Sequence, residues 1–163
     1  MRELKAIREE AIPKALEKAE RYRLLNEPAQ AESICHDILQ VDPTNQPALI
    51  TLLLALTDQF DHGLPVNHPQ ELLPRLHGEY ERAYYAGIIC ERKARAQLKQ
   101  GLLGAGFMAY DLLCEAMDWY EKAEALRPLD NDDPTLRWNA CVRTIKDRHL
   151  EPRMEERTVL TSE

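Results

Sequence analysis

The amino-acid sequence predicts an all-α protein, and three observations carry that reading. Ala, Leu, Glu, Lys and Arg dominate a chain of 163 residues that has only six glycines and is 30% charged, the bias of soluble helices. Apolar positions recur at i, i+3 or i+4 and i+7, the spacing that gathers side chains on one helical face. Pro13, Pro28, Pro47 and Pro134 stand where such stripes begin, a place where the missing N–H and fixed φ of proline cost nothing.

The elements are taken in chain order. Residues 2–10 are charged and helix-favouring, a solvated lead-in. From Pro13, the stripe of Ala15, Ala19 and Tyr22, with Leu16 beside it, predicts a first helix. Asn26, Glu27 and Pro28 supply a cap and a helix-opening proline. Ala31, Ile34, Cys35, Ile38 and Leu39 line the second helix, which residues 42–45 end. Leu49, Leu52, Leu53, Leu56 and Phe60 continue the period into a third helix. Ile50 and Leu54 make that helix apolar on further faces, which predicts a central position.

Regularity then fails. Gly63, Pro65 and Pro69 require a loop over residues 61–69, and Pro74 and Gly78 restrict the next segment to a short or kinked helix. Beyond it the chain reads as helix on both sides of residues 101–106, which predicts a hairpin with arms over Glu79–Gln100 and Ala105–Leu126. Residues 129–133 form a turn with capping aspartates. Pro134 opens a last helix through about His149, with Leu136, Ala140 and Trp138 on its inner side. The reading gives one helical domain over residues 1–150 and a charged tail over residues 151–163.

Bulk properties narrow the function. The length suits a domain that buries roughly 70% of its unfolded surface without metals or disulfides. A net charge of −7 argues against nonspecific nucleic-acid binding, which needs a basic surface. Cys35, Cys90, Cys114 and Cys141 are widely spaced within helical patterns and show no zinc spacing, so they read as small apolar groups in a reducing compartment. The first twenty residues contain no apolar run, and the stretch 47–56 is too short to span a bilayer. No membrane insertion and a cytoplasmic location are the expectations.

Within this pattern, Ala19, Tyr22, Ala31, Ile38 and Pro43 stand at the places of a small residue, an aromatic, an alanine, a bulky apolar residue and a closing proline. Pro13 and Pro47 lie 34 residues apart. This stretch resembles a tetratricopeptide repeat, whose unit is a helix–turn–helix of that length. Ala116, Tyr120, Ala123 and Pro128 match the second helix and closing turn of a further unit. Its first helix would place a small residue, Gly87, against Ala116. Gly87 to Ala116 spans 29 residues where Ala19 to Ala31 spans 12, so each arm is longer than usual by about two turns of 3.6 residues. The resemblance implies a short right-handed α-solenoid of antiparallel helix pairs, with one elongated hairpin and a terminal capping helix.

It also implies a concave groove lined by the first helices of the pairs, fit for a peptide or helix of another protein. The groove places fall on Leu16, Glu20 and Arg23, on Ile50, Leu54 and Asp58, on Tyr84, Ile88, Glu91 and Arg92, and on Arg137 and Cys141. Some members grip the terminal carboxylate of chaperones with Lys, Asn and Arg. Leu16, Glu20 and Thr51 stand at the corresponding places and do not supply that clamp.

Other chemistry is weak. His62, His68 and His77 fall close together beside Asp58 and Asp61, but no pair sits at i, i+4 on a clear helix, so exposed loop histidines are favoured over a metal-dependent regulator. Cys35 and His36 are adjacent and point about 100° apart on a helix, which disfavours a catalytic pair. Residues 101–106 come after a helix and lack the Lys-Ser/Thr of a phosphate loop. No enzyme activity and no cofactor are expected. Leu102, Leu103, Phe107 and Met108 cluster at the hairpin tip, as either an apolar closure of the turn or a second contact site for a partner or for another copy in a homodimer.

Overall fold

A computed structural model describes residues 1–62 and 68–154, the side chain of His68 excepted. Seven α-helices are described and no strand: α1 (Ile12–Leu24), α2 (Pro28–Val41), α3 (Gln46–Asp58), α4 (His68–Leu72), α5 (Glu79–Gln100), α6 (Ala105–Leu126) and α7 (Asp133–Asp147). The all-α expectation is met. Residues 1–8 form no helix, and only a 3-10 turn at Glu9–Ala11 precedes α1. Pro13, Pro47 and Pro134 occupy the first turns of α1, α3 and α7, and Pro28 is the first residue of α2. The helices gather into two compact units that divide between His77 and Gly78.

In the first unit α1 packs on α2, α2 packs on α3, and α1 also touches α3. Ala19 and Ala31 are fully buried, as are Cys35, Ile38, Leu49 and Leu53; alanines at Ala19 and Ala31 let the backbones approach closely. Asn26 does not cap α2 as its sequence position implies. It takes a left-handed conformation with φ 61° and ends α1 instead. The Glu27 N–H donates to the Tyr22 carbonyl at 2.8 Å and the Asn26 N–H to Arg23 at 3.0 Å, the paired bonds of a Schellman ending, for which asparagine is a common substitute for glycine. Asn45 does cap α3, its Oδ1 accepting from the Ala48 N–H at 2.9 Å.

The irregular segment is held by polar bonds. The five-residue α4 runs into a 3-10 turn at Leu73–Arg75. Arg75 donates to the Pro43 carbonyl at 2.8 Å, and Gln46 accepts from the His77 N–H at 2.9 Å. Leu72 and Leu76 are buried. The short second helix expected of this stretch is therefore present, and its return strap is tied to the turn before α3. The predicted loop falls mainly on residues 63–67, which lie outside the described residues, as do residues 155–163 of the predicted tail.

In the second unit α5 and α6 form the long hairpin with the boundaries expected from the sequence, and α7 packs on α6. Gly101 and Gly104 make the turn with φ of 64° and 80°, a left-handed backbone that only glycine adopts at no steric cost. The small residue of α5 lies against Tyr120 of α6. A Cβ on Gly87 would stand 2.5 Å from the Tyr120 ring, so the missing side chain makes room for that ring. Ala116 and Tyr120 are both fully buried.

α7 differs from expectation in phase. Pro134 and Cys141 face inward, whereas Leu136 is 60% exposed. Arg137, one residue on, bonds to α5 through Glu91, and that contact turns Leu136 about 100° outward. The helix ends at Asp147, and His149 just beyond it takes a φ of 52°, with the Leu150 N–H donating to the Ile145 carbonyl at 2.9 Å. Leu150 then packs beside the start of α6, where a Cβ on Gly106 would lie 3.8 Å from Leu150 Cδ2.

Gly87→Ala should lower stability. The gain in helix propensity is about 1 kcal/mol, while forcing the Tyr120 ring from its seat costs roughly 1–3 kcal/mol. Ala31→Leu and Ala116→Leu should each cost a similar roughly 1–3 kcal/mol by overpacking. Urea denaturation midpoints measure all three, and unchanged midpoints would contradict the close helix approach.

Candidate functional site

Two of the groove places of the first unit, Arg23 and Asp58, form an ion pair. Arg23 on α1 donates through Nε to Asp58 Oδ2 at 2.7 Å and through Nη2 to Oδ1 at 3.3 Å. This is the planar, two-point geometry in which a guanidinium holds a carboxylate best. Leu16, Ile50 and Leu54 are half-buried and Glu20 is exposed. Behind them Gln59, buried on the carboxyl side of α3, donates to Glu32 at 2.8 Å and ties α3 to α2.

In the second unit the places separate into two kinds. Tyr84, Arg92 and Arg137 are half-buried, but Ile88 is buried and Glu91 is only 3% exposed. Glu91 therefore offers no free surface to a partner. Its Oε1 accepts from the Tyr120 hydroxyl at 3.0 Å and from Arg137 Nε at 3.1 Å, and its Oε2 accepts from Arg137 Nη2 and Arg95 Nη2. The Cys141 thiol lies against Oε1 at 3.7 Å. A carboxylate has about four lone-pair sites, and four strong donors fill them, so the charge is buried without being orphaned.

This contact joins three helices, α5 through Glu91, α6 through Tyr120 and α7 through Arg137. Burial, with the Glu91 charge second, pushes the Tyr120 phenol well above its ordinary range. The hydrogen bond to Glu91 holds the Arg137 guanidinium even more firmly protonated than usual. Around it runs a row of tyrosines. Tyr84 stacks on Tyr80 with centroids 5.8 Å apart, meets Tyr85 edge-on at 5.1 Å and reaches Tyr120 at 5.9 Å. Asn131 donates to the Tyr80 hydroxyl at 2.7 Å.

Further along the same two helices the space opens into a cavity of about 470 Å³, lined by Arg95, Leu98 and Lys99 of α5, Thr144 and Asp147 of α7, and Arg148. None of these residues stands out in the sequence as a site. The one legible signal is Arg95, at i+4 from Glu91, the spacing of an intrahelical ion pair. At the tip, Leu103 is wholly exposed, Leu102 67% exposed, and Phe107 and Met108 about two-fifths exposed. Leu102 therefore does not staple the turn by packing.

Among the described residues no group of three or more His, Cys, Asp or Glu could hold a metal ion. The His68 side chain, one of the three histidines considered, lies outside the described part of the chain. His36 is exposed, 3.7 Å from Glu32, while its neighbour Cys35 is fully buried. No described helix is long and apolar enough to cross a membrane. Compared with known protein families, curated proteins and solved structures, the chain matches none.

The buried carboxylate makes two substitutions informative. Glu91→Ala would strand Arg137 against the core, and breaking such a pair should cost about 3 kcal/mol, the low end for buried pairs because Arg137 keeps some solvent contact. Tyr120→Phe should cost less, about 1.5–2 kcal/mol, one hydrogen bond to a charged group. Urea unfolding measures both, and equal costs for the two would contradict the central place of the carboxylate.

Burial pushes the Cys35, Cys90 and Cys141 thiols from 9.0 up to about 12. Below about pH 9 both folded and unfolded thiols are protonated and no stability is lost. Above it the unfolded chain sheds protons that the folded chain keeps, so stability should fall steadily as pH rises from about 9 toward 12. Denaturation midpoints that hold constant across that window would show the thiols to be accessible.

Proposed function

We propose that this chain is a non-enzymatic adaptor, a short tetratricopeptide-like solenoid that holds a peptide or helix of another protein. The observation that carries the reading is a shared arrangement in the two units. In each, the first and third helices lie against the second and are joined to each other by a two-point Arg–carboxylate contact, Arg23–Asp58 on α1 and α3 and Arg137–Glu91 on α5 and α7. Successive first helices set side by side on one flank of their partners are what a helical-repeat groove is made of.

The residues left for a partner are accordingly fewer than the repeat places. Leu16, Glu20, Ile50 and Leu54 serve in the first unit, and Tyr84, Arg92 and the exposed edge of Arg137 in the second. Glu91 and Ile88 hold the groove wall and do not touch the partner. A cytoplasmic setting accords with the free thiols.

The test is affinity capture from native lysate with the full chain as bait. Leu54→Glu should lose most of the captured partner while its melting temperature stays near that of the wild type, since Leu54 is half-buried at a groove place. A Leu54→Glu chain that melts early but captures normally in its folded fraction would make Leu54 a core residue and defeat the groove assignment. Light scattering addresses self-assembly, since a dimer that survives dilution would favour a homo-oligomeric module over an adaptor.

A further inference from the structure

We infer that the tip of the long hairpin is a self-association surface, through which two copies of this chain meet tip to tip about a two-fold axis. The inference does not rest on the adaptor reading. Leu103 is wholly exposed, Leu102 mostly so, and Phe107 and Met108 about two-fifths. The leucines stand in the turn itself, and Phe107 and Met108 in the first turn of α6. Exposed apolar residues scattered singly are ordinary, but a group of large ones gathered at one turn marks a contact surface.

The turn itself has no use for these side chains. Gly101 and Gly104 supply its left-handed backbone. Main-chain bonds close it: the Gly101 N–H donates to the Gln97 carbonyl at 3.2 Å, the Ala105 N–H to Leu102 at 3.0 Å and the Met108 N–H to Gly104 at 3.2 Å. Polar residues at 102 and 103 would make the same bonds and sit better in water. The packing of this stretch falls to Ala105 and Ala109, which are buried.

Charge points to a second copy as the occupant. Residues 101–110 contain no charged side chain in a chain that is 30% charged, and the first charges on either side along the sequence, Lys99 and Asp111, are opposite in sign. Two chains of net charge −7 repel across most pairings of their surfaces. At a neutral tip they meet without that cost. The patch offers no charge by which to select a foreign partner, whereas its own copy matches it apolar group for apolar group, as a two-fold contact requires. Area sets the strength. A patch of this kind covers roughly 300–600 Å², and two of them face to face bury no more than about 1,200 Å², the range of transient association. The dimer should therefore separate on dilution.

Sedimentation velocity on the full chain tests this. A dimer should appear as concentration rises between about 1 µM and 1 mM, the affinities open to so small a contact. Raising the salt should leave it as strong or strengthen it, because salt screens the repulsion between two acidic chains and does not screen an apolar contact. Leu103→Ser combined with Met108→Ser, both at exposed positions, should weaken dimerisation at least about tenfold with helical content and melting temperature unchanged. Leu54→Glu, in the first unit, should dimerise as the wild type does. A labelled sample of the tip variant should not join an excess of wild type, since a two-fold contact needs both patches. A chain that stays monomeric throughout, or a tip variant that dimerises like the wild type, would overturn the inference. So would a labelled variant that joins the wild type, which would seat the tip in some other site of the second copy. Tip-dependent sedimentation with phosphatidylserine vesicles, or tip-dependent capture of a different protein, by a chain that forms no dimer would equally overturn it and give the patch to a lipid surface or a foreign partner.

Discussion

A carboxylate taken out of water needs a donor at every lone pair, and the second unit of this protein is arranged to give Glu91 those donors. Isolated burial of such a charge is prohibitive, and a pair that is incompletely bonded is scarcely better. Here the Arg137 guanidinium approaches in its own plane, Arg95 closes the outer side and the Tyr120 hydroxyl closes the inner one. Each donor constrains its helix. Arg137 sets the rotation of α7, Tyr120 sets the register of α6 on α5, and Gly87 has no side chain because the Tyr120 ring occupies that volume.

Several features depend on that one contact. Leu136 is turned to solvent because Arg137 is turned inward. Cys141, one turn beyond Arg137, is carried into the core and its thiol lies against the same carboxylate. Tyr84 stands at the edge of the contact, between the buried Tyr120 ring and the half-buried Tyr80. The first unit uses a lighter version, since Arg23 and Asp58 are both partly solvated and their pairing adds less than a buried contact would. There the alanines Ala19 and Ala31 and the apolar faces of α2 and α3 bear most of the packing.

The same arrangement separates wall from surface. Where an interhelical space is closed by a satisfied ion pair, as at Glu91, nothing remains for a ligand. Where the helices run on past that point, as at Leu98 and Thr144, the space opens into a cleft. Long arms in the hairpin therefore do more than lengthen the core. They carry the interhelical space beyond the closing contact, as far as Leu98 and Lys99 near the end of α5.

Much of this was legible in the sequence by itself. Composition and proline placement determined the all-α class, and apolar periodicity determined α1 to α3. The two glycine-flanked arms determined α5 and α6 to the residue, because a helix is a local structure whose start and stop are signalled by residues within a turn of its ends. Local signals misled where one residue could serve either neighbour, as at Asn26, which ends α1 with a left-handed backbone and does not cap α2. What only the tertiary structure decided is which polar residues are interior. Glu91 falls at a groove place of the repeat pattern, open to a partner, yet its burial depends on Tyr120 and Arg137, 29 and 46 residues away. A pattern within one helix reports which face is apolar. It carries no record of a donor brought by another helix, and for a charged side chain that donor decides whether burial is possible at all.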